Sequence, residues 1–193
     1  MAKKSKKSIE TLVLGGILTA IVVVLQYLGS FIKFGPFSIS LVLIPIVIGA
    51  ATCSTKISAW LGFVFGVVVL MTNAAAFLAI SVPGTVITVL AKGIACGIAA
   101  GFAYKLIEKK NIYVATAFAA VIAPIVNTGI FLLGCFVFFF DTMKEWGAAN
   151  GFANAVEFMI LGLVGVNFLI ELAINIVLSP VIVRILKIRK KKA

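Results

Sequence analysis

Histidine is absent from this chain. With it go the commonest general base and the commonest metal ligand. Acidic residues are scarce: Glu10, Glu108, Asp141, Glu145, Glu157 and Glu171 are the whole set. They are scattered and form no paired-carboxylate cluster, so neither a metal site nor a cofactor is expected. No G-x-x-x-x-G-K-[ST] run occurs, which excludes a nucleotide site of the P-loop kind. Cysteine is sparse as well. Cys53, Cys96 and Cys135 each lie in or beside an apolar run, and none is paired in sequence with another. They read as buried thiols, not as a disulfide or metal framework. Charged residues make up 12% of the chain, about half the share of a soluble domain. An enzyme is not expected from such a set.

Apolar residues are what the chain has in excess. They account for 63% of it, and the mean hydropathy is +1.24. Runs of about 20 apolar residues recur, each long enough to cross a bilayer as a helix. Alternation of period two is missing, which argues against a membrane β-barrel. There is no room for a sizeable soluble domain, so residues 1–193 read as a single transmembrane domain with basic tails at 1–8 and 187–193. The apolar stretch after the N-terminal lysines has no small-residue cleavage site at its end, so it is read as a retained span. Spans are expected at about 9–28, 38–52, 57–72, 84–107, 113–140 and 157–186. Residues 73–83 read as irregular or re-entrant, and 141–155 as a polar loop with a helical turn. The fold class is all-α, a bundle of six transmembrane helices.

The net charge of +11 would point to nucleic acid in a soluble protein. Here the charges sit at span ends, so topology explains them and no nucleic acid partner is expected. With the N-terminus in the cytoplasm, six spans return the C-terminus there. Of the 17 basic residues, 14 then fall on the inner side: Lys3, Lys4, Lys6, Lys7, Lys56, Lys105, Lys109, Lys110, Arg184, Lys187, Arg189, Lys190, Lys191 and Lys192. Only Lys33 and Lys144 fall outside. Lys92 is left over, inside a span. The expected location is the cell membrane, multi-pass, as in the bacterial plasma membrane, with the tails facing lipid headgroups.

Polar groups at membrane depth are costly, at about 2.5–3.5 kcal/mol for a charge, and usually face a cavity or a partner. Gln26, Asn73, Lys92, Asn127, Thr128, Asn167, Glu171 and Asn175 are these groups. The last three are spaced by four and form one polar stripe on the sixth span. Lys92 and Glu171 have two readings. They pair and pin two helices, or they line a pocket open to the outside. In the second reading Lys92 is an anion receptor for a carboxylate or phosphate. Gly93, Gly97 and Gly101 form one flat face for close helix packing. Gly16 and Ala20 repeat that pattern on the first span, either for internal packing or for docking another protein. The aromatic block Phe136–Phe140, with Trp146, reads as an interfacial anchor and a source of lid residues.

Four segments occur in order: "GPFSISLVLIPIVIGA" (35–50), "SAWLGFVFGVVVLM" (58–71), "KGIACGIAAGFAYK" (92–105) and "NTGIFLLG" (127–134). Together with the hydropathy layout, they resemble the substrate-binding S-components of energy-coupling-factor (ECF) vitamin importers. The resemblance covers the first five spans well and the sixth loosely. It implies six helices and high-affinity capture of a vitamin from outside. The implied partners are a membrane coupling subunit and two cytoplasmic ATPases. The family's Ala-x-x-x-Ala docking motif falls on Gly16–Ala20, with glycine in place of the first alanine. The 35–50 and 127–134 segments look most like the pantothenate group; folate, riboflavin and queuosine precursors are served by related sequences. Pantothenate implies Lys92 for the carboxylate, with Asn127, Thr128, Asn167 and Asn175 as hydrogen-bonding groups. Glu171 would accept from a hydroxyl or orient Lys92. A stand-alone ion-coupled transporter using Lys92 and Glu171, or a scaffold protein, remains the alternative.

Overall fold

A bilayer leaves an apolar chain no water to satisfy its backbone, so such runs fold as helices. The computed structural model describes the backbone of residues 2–31, 33, 34, 37, 38 and 41–192, with side chains at 9–31, 41–184 and 187. Met1, Ile32, Gly35, Pro36, Ile39, Ser40 and Ala193 lie outside the described residues, as do most side chains of the basic tails and of the segment bearing Lys33.

Helix α1 covers Ala2–Gly29. Strands β1 (Lys33–Phe34) and β2 (Phe37–Ser38) pair antiparallel, with Lys33 opposite Ser38. Then follow α2 (Leu43–Thr52), α3 (Thr55–Thr72), α4 (Ala75–Leu78), α5 (Val82–Ile107), α6 (Ile112–Phe138), α7 (Phe140–Ala149) and α8 (Ala155–Glu157). Phe158–Val164 wind as a π-helix and lead into α9 (Gly165–Lys192). Two of the long helices, α5 and α6, begin with side-chain caps. Ser81 accepts from the Gly84 N–H at 3.2 Å, with Pro83 in the first turn of α5. Asn111 accepts from the N–H groups of Tyr113 and Val114 at the start of α6. Each cap satisfies backbone donors that the helix itself leaves open.

Five helical segments are long and apolar enough to cross a membrane: Ile9–Gly29, Thr55–Thr72, Val82–Ile107, Ile112–Phe138 and Ala155–Arg184. The expected second span differs. Its helix, α2, has ten residues, a rise of about 15 Å against a hydrocarbon core of about 30 Å. Residues 37–38 pair in strand β2, and α2 begins only at Leu43. What remains is a core helix, with Leu43, Ile46 and Val47 fully buried. The stretch expected to be irregular holds the one-turn α4, and the polar loop is mostly the ten-residue α7.

Glycine sets the tightest helix contact. A Cβ on Gly62 of α3 would strike the carbonyl of Gly93 on α5, and one on Gly97 would strike the carbonyl of Ser58. Gly101 faces Thr55 in the same way, and Gly66 faces the Val89 carbonyl. The two antiparallel helices therefore meet backbone to backbone along this seam. Other contacts fix the directions of the remaining helices. Gln26 near the end of α1 bonds Asn73 at the end of α3, so α1 and α3 run parallel. Lys187 near the end of α9 bonds the Tyr113 hydroxyl at the start of α6, so those two run antiparallel.

Gly62→Val should be the most damaging change in this seam. Overpacking costs about 1–3 kcal/mol and sometimes more, and here the obstacle is backbone. The expected result is a clear fall in melting temperature, or loss of the monodisperse peak, for protein in detergent. Gly129→Ala, with nothing within 4 Å, should leave both unchanged.

Candidate functional site

At the end of the bundle where α1 and α3 finish and α5 begins, the helices separate around a cavity of about 100 Å³. One water needs about 10–15 Å³ by this kind of measure, so the space suits a small molecule. Lys92, Asn127, Thr128, Asn167 and Glu171 all line it. Asn175, the remaining residue of the expected stripe, does not. It is buried one turn deeper, and its amide nitrogen donates to the Glu171 carbonyl at 2.8 Å. Gly16 and Ala20 lie far from the cavity on the exposed face of α1.

Lys92 sits ten residues into α5, about 15 Å from its start. Its ammonium lies over two phenyl faces, 5.4 Å from the Phe65 centroid and 5.3 Å from that of Phe131. Such contacts contribute about 0.5–2 kcal/mol, more as the cation loses water. They hold the charge without occupying its hydrogen-bonding capacity. Glu171, 6% exposed, presents the opposite charge to the same cavity from α9. Asn127 is buried on α6, three residues after Pro124. That proline removes one backbone donor from the helix just before it reaches the cavity. The π-helical stretch before α9 contributes Leu163 and Val164 to the wall. Its wider turn sets the rotation at which Asn167 and Glu171 enter the cavity.

The site also contains residues that sequence reasoning did not assign to it. Thr85 and Thr88 share the cavity face of α5 with Lys92; their spacing of three and four was the available signal. Gln26 and Asn73, noticed only as polar groups at span ends, meet at the wall. Gln26 Nε2 donates to Asn73 Oδ1 at 3.1 Å. Three buried oxygens on the wall have no hydrogen-bond partner: Gln26 Oε1, Thr88 Oγ1 and Asn127 Oδ1. Unpartnered buried polar groups are uncommon and costly.

An aromatic cluster closes this end of the bundle. Phe77 of α4 makes edge-on contacts with Phe131, Phe139 and Trp146, at centroid distances of 5.8, 5.1 and 5.6 Å. Of the expected anchor block, Phe139 is buried in this cluster, while Phe136 and Phe138 are exposed. Cys96 and Cys135 are buried free thiols and Cys53 is half-buried. Among the described residues no group of three potential ligands gathers to hold a metal.

The fold and the cavity define a multi-pass membrane protein with a polar-lined cavity among its helices. A profile of the ECF transporter, substrate-specific component family matches residues 10–183, and the chain belongs to that family. No curated protein and no solved structure matches the chain. The family is a component of transporters, not a family of enzymes. It binds a small-molecule substrate in the cell membrane and works with coupling and ATPase partners.

The aromatic cluster generates a prediction. Each edge-on contact is worth about 0.5–1.5 kcal/mol beyond its buried area. Phe77→Ala removes all three, so a cysteine placed at Thr128 should react with a water-soluble thiol reagent roughly tenfold faster or more. The rates to compare are those of Thr128→Cys alone and of Thr128→Cys with Phe77→Ala.

Proposed function

We propose that this chain is the high-affinity capture subunit of an ATP-driven micronutrient importer, and that its cargo is a small vitamin bearing a carboxylate. The observation that carries the reading is Lys92. A lone ammonium is held over two phenyl rings on the wall of a cavity that also offers Glu171, two carboxamides and threonine hydroxyls. That set matches a molecule with one acid group and several hydroxyl or amide groups. Pantothenate has this composition and is the first candidate.

The bias of basic residues toward one end of the bundle supports a cytoplasmic position for the end opposite the cavity, with the cavity facing outward. The contacts of α1 with α3 support a second crossing made by the hairpin and α2 together, which gives six crossings and cytoplasmic termini. Gly16 and Ala20 are exposed, and Gly16 has nothing within 4 Å of where a Cβ would stand. That bare strip of α1 supports docking of the membrane coupling subunit, with two ATPases beneath it.

Calorimetry on the purified chain in detergent, without partners, tests the reading. One tight binder is expected from a panel of pantothenate, folate, riboflavin, thiamine, biotin, cobalamin and queuine. Lys92→Ala should weaken that binding by about tenfold or more, since a hydrogen bond to a charged group contributes about 1.5–3 kcal/mol. Unchanged affinity in the variant would remove Lys92 from the site. Ala20→Trp should leave the affinity alone and stop uptake in the assembled importer. Gradient-driven uptake by the chain alone in liposomes would instead favour the ion-coupled carrier built on Lys92 and Glu171.

A further inference from the structure

Phe131 touches two parts of the site at once. It stands on α6, three residues after Thr128 and four after Asn127, so the three share one helix face. All three line the cavity. The ring of Phe131 lies 5.3 Å from the Lys92 ammonium. The same ring meets Phe77 of α4, with centroids 5.8 Å apart and planes at 79°. Phe77 in turn packs edge-on against Trp146 of α7 at 5.6 Å. A chain of contacts therefore runs from the cation on α5, through α6 and α4, to α7.

The two rings that hold Lys92 differ in what stands behind them. Phe65 is fully buried in the main core, among the long helices. Phe131 is half-buried and packs on the second cluster, which contains Phe77 and Phe139. The ammonium thus sits between the fixed core and the cluster that closes the cavity, and Phe131 is its contact on the closing side. A ring holds a cation by its face, and the hold depends on how far water and other charges share that cation. A carboxylate arriving at Lys92 changes this hold, and Phe131 is where the change is felt. The ring also seats the ammonium before any ligand arrives, which removes an ordering cost from binding.

We infer that Phe131 is a positioning residue that transmits occupancy of Lys92 to the aromatic cluster over the cavity. It seats the ammonium for an organic acid. Once a carboxylate fixes the ammonium, the ring and Phe77 are fixed with it, and the cluster closes more tightly. The inference rests on the capture-subunit reading and extends it by a residue and by a link from binding to closure. Such a link requires contiguous contacts and a change that can be read at the far end. Trp146 provides that reading, because it packs against Phe77 and is not on the cavity wall.

The chain has two tryptophans, so Trp60→Phe leaves Trp146 as the one fluorescent reporter. The test uses the full-length chain with that change, in detergent. The probes are pantothenate and pantothenol, biotin and biotinamide, nicotinate and nicotinamide, with folate, riboflavin, thiamine, cobalamin and queuine. The expected result is that one acid binds and, at saturation, lowers the quenching of Trp146 by acrylamide. Phe131→Leu should weaken binding of that acid about threefold to tenfold, the range of one cation–π contact. Saturation of this variant should no longer change the quenching. In a Lys92→Met background, Phe131→Leu should alter the affinity by no more than about twofold, because the contact it removes is already gone. Trifluorophenylalanine at position 131 keeps the shape of the ring and weakens its negative face, so it should lose acid affinity as Phe131→Leu does. An equal loss with and without Lys92 would make the ring a plain wall contact and overturn the inference. Acid-dependent protection of Trp146 that persists in Phe131→Leu also overturns it. Tight binding of a neutral compound alone overturns the link to Lys92 but leaves the capture reading standing. A chain that binds no probe overturns the capture reading, and the inference falls with it.

Discussion

The backbone-to-backbone seam between α3 and α5 is the constraint on which the rest of the structure depends. Hydrophobic burial does not drive helices together inside a bilayer, because lipid is as apolar as leucine. Close packing and polar contacts must do it. Gly62, Gly66, Gly93, Gly97 and Gly101 supply the closest packing available. Their lack of side chains brings two long helices near enough for the backbone atoms themselves to touch. The seam runs along α5 from Val89 to Gly101. In the first half of α5, threonines replace glycines along the inner face, and the space between helices becomes the cavity.

The polar groups follow from that division. At depth, a hydroxyl or amide needs a partner in the protein, and most have one. Five threonines use the helix backbone, and Gln26 uses Asn73. Where the helices separate, Gln26, Thr88 and Asn127 each keep one oxygen unsatisfied. Three such atoms from three helices on one wall would be a poor solution for stability alone. Each of the three oxygens has less than 1 Å² of its own surface exposed, so each is packed against protein and not open to the cavity. The charged pair is different, because Lys92 rests on phenyl faces that hold it while leaving its N–H groups available.

Much of this was legible in the sequence. Hydropathy located the long helices to within a few residues, since length and apolarity are what a bilayer demands. Cost at depth pointed to Lys92, Asn127, Thr128, Asn167 and Glu171, and the fold brings them to one cavity. Asn175 shows the limit of a spacing rule. A step of four advances the helix face by about 40°, so the third member of the stripe has turned away by about 80° from the first. It also lies about 12 Å deeper. Thr85 and Thr88 were passed over because threonine in a membrane helix usually satisfies itself, which left their spacing to Lys92 as the one signal they carried. Thr88 is an exception, its hydroxyl lying against Gly134 of another helix. The shortness of α2 was hidden because an extended hairpin and a helix have the same hydropathy when both are apolar.

The same geometry says where the molecule can move. The α3–α5 seam has no side chains to re-pack, so Lys92, at its edge, stands on a fixed frame. The elements over the cavity are different in kind. The helix α4 is a single turn, α7 is short, and they meet through ring contacts at Phe77 that can separate without breaking a backbone hydrogen bond. The ring contacts at Phe77 are therefore the part of the cavity wall that can separate at least cost, and under the proposed function a ligand would pass there. Gln26 links the two sets to a third. It stands on the cavity wall but belongs to α1, ten residues from Gly16 on the bare outer strip. A ligand in the cavity thus lies against the helix proposed to meet the coupling subunit. Rigid α1 is the shortest physical connection between an occupied cavity and that docking face.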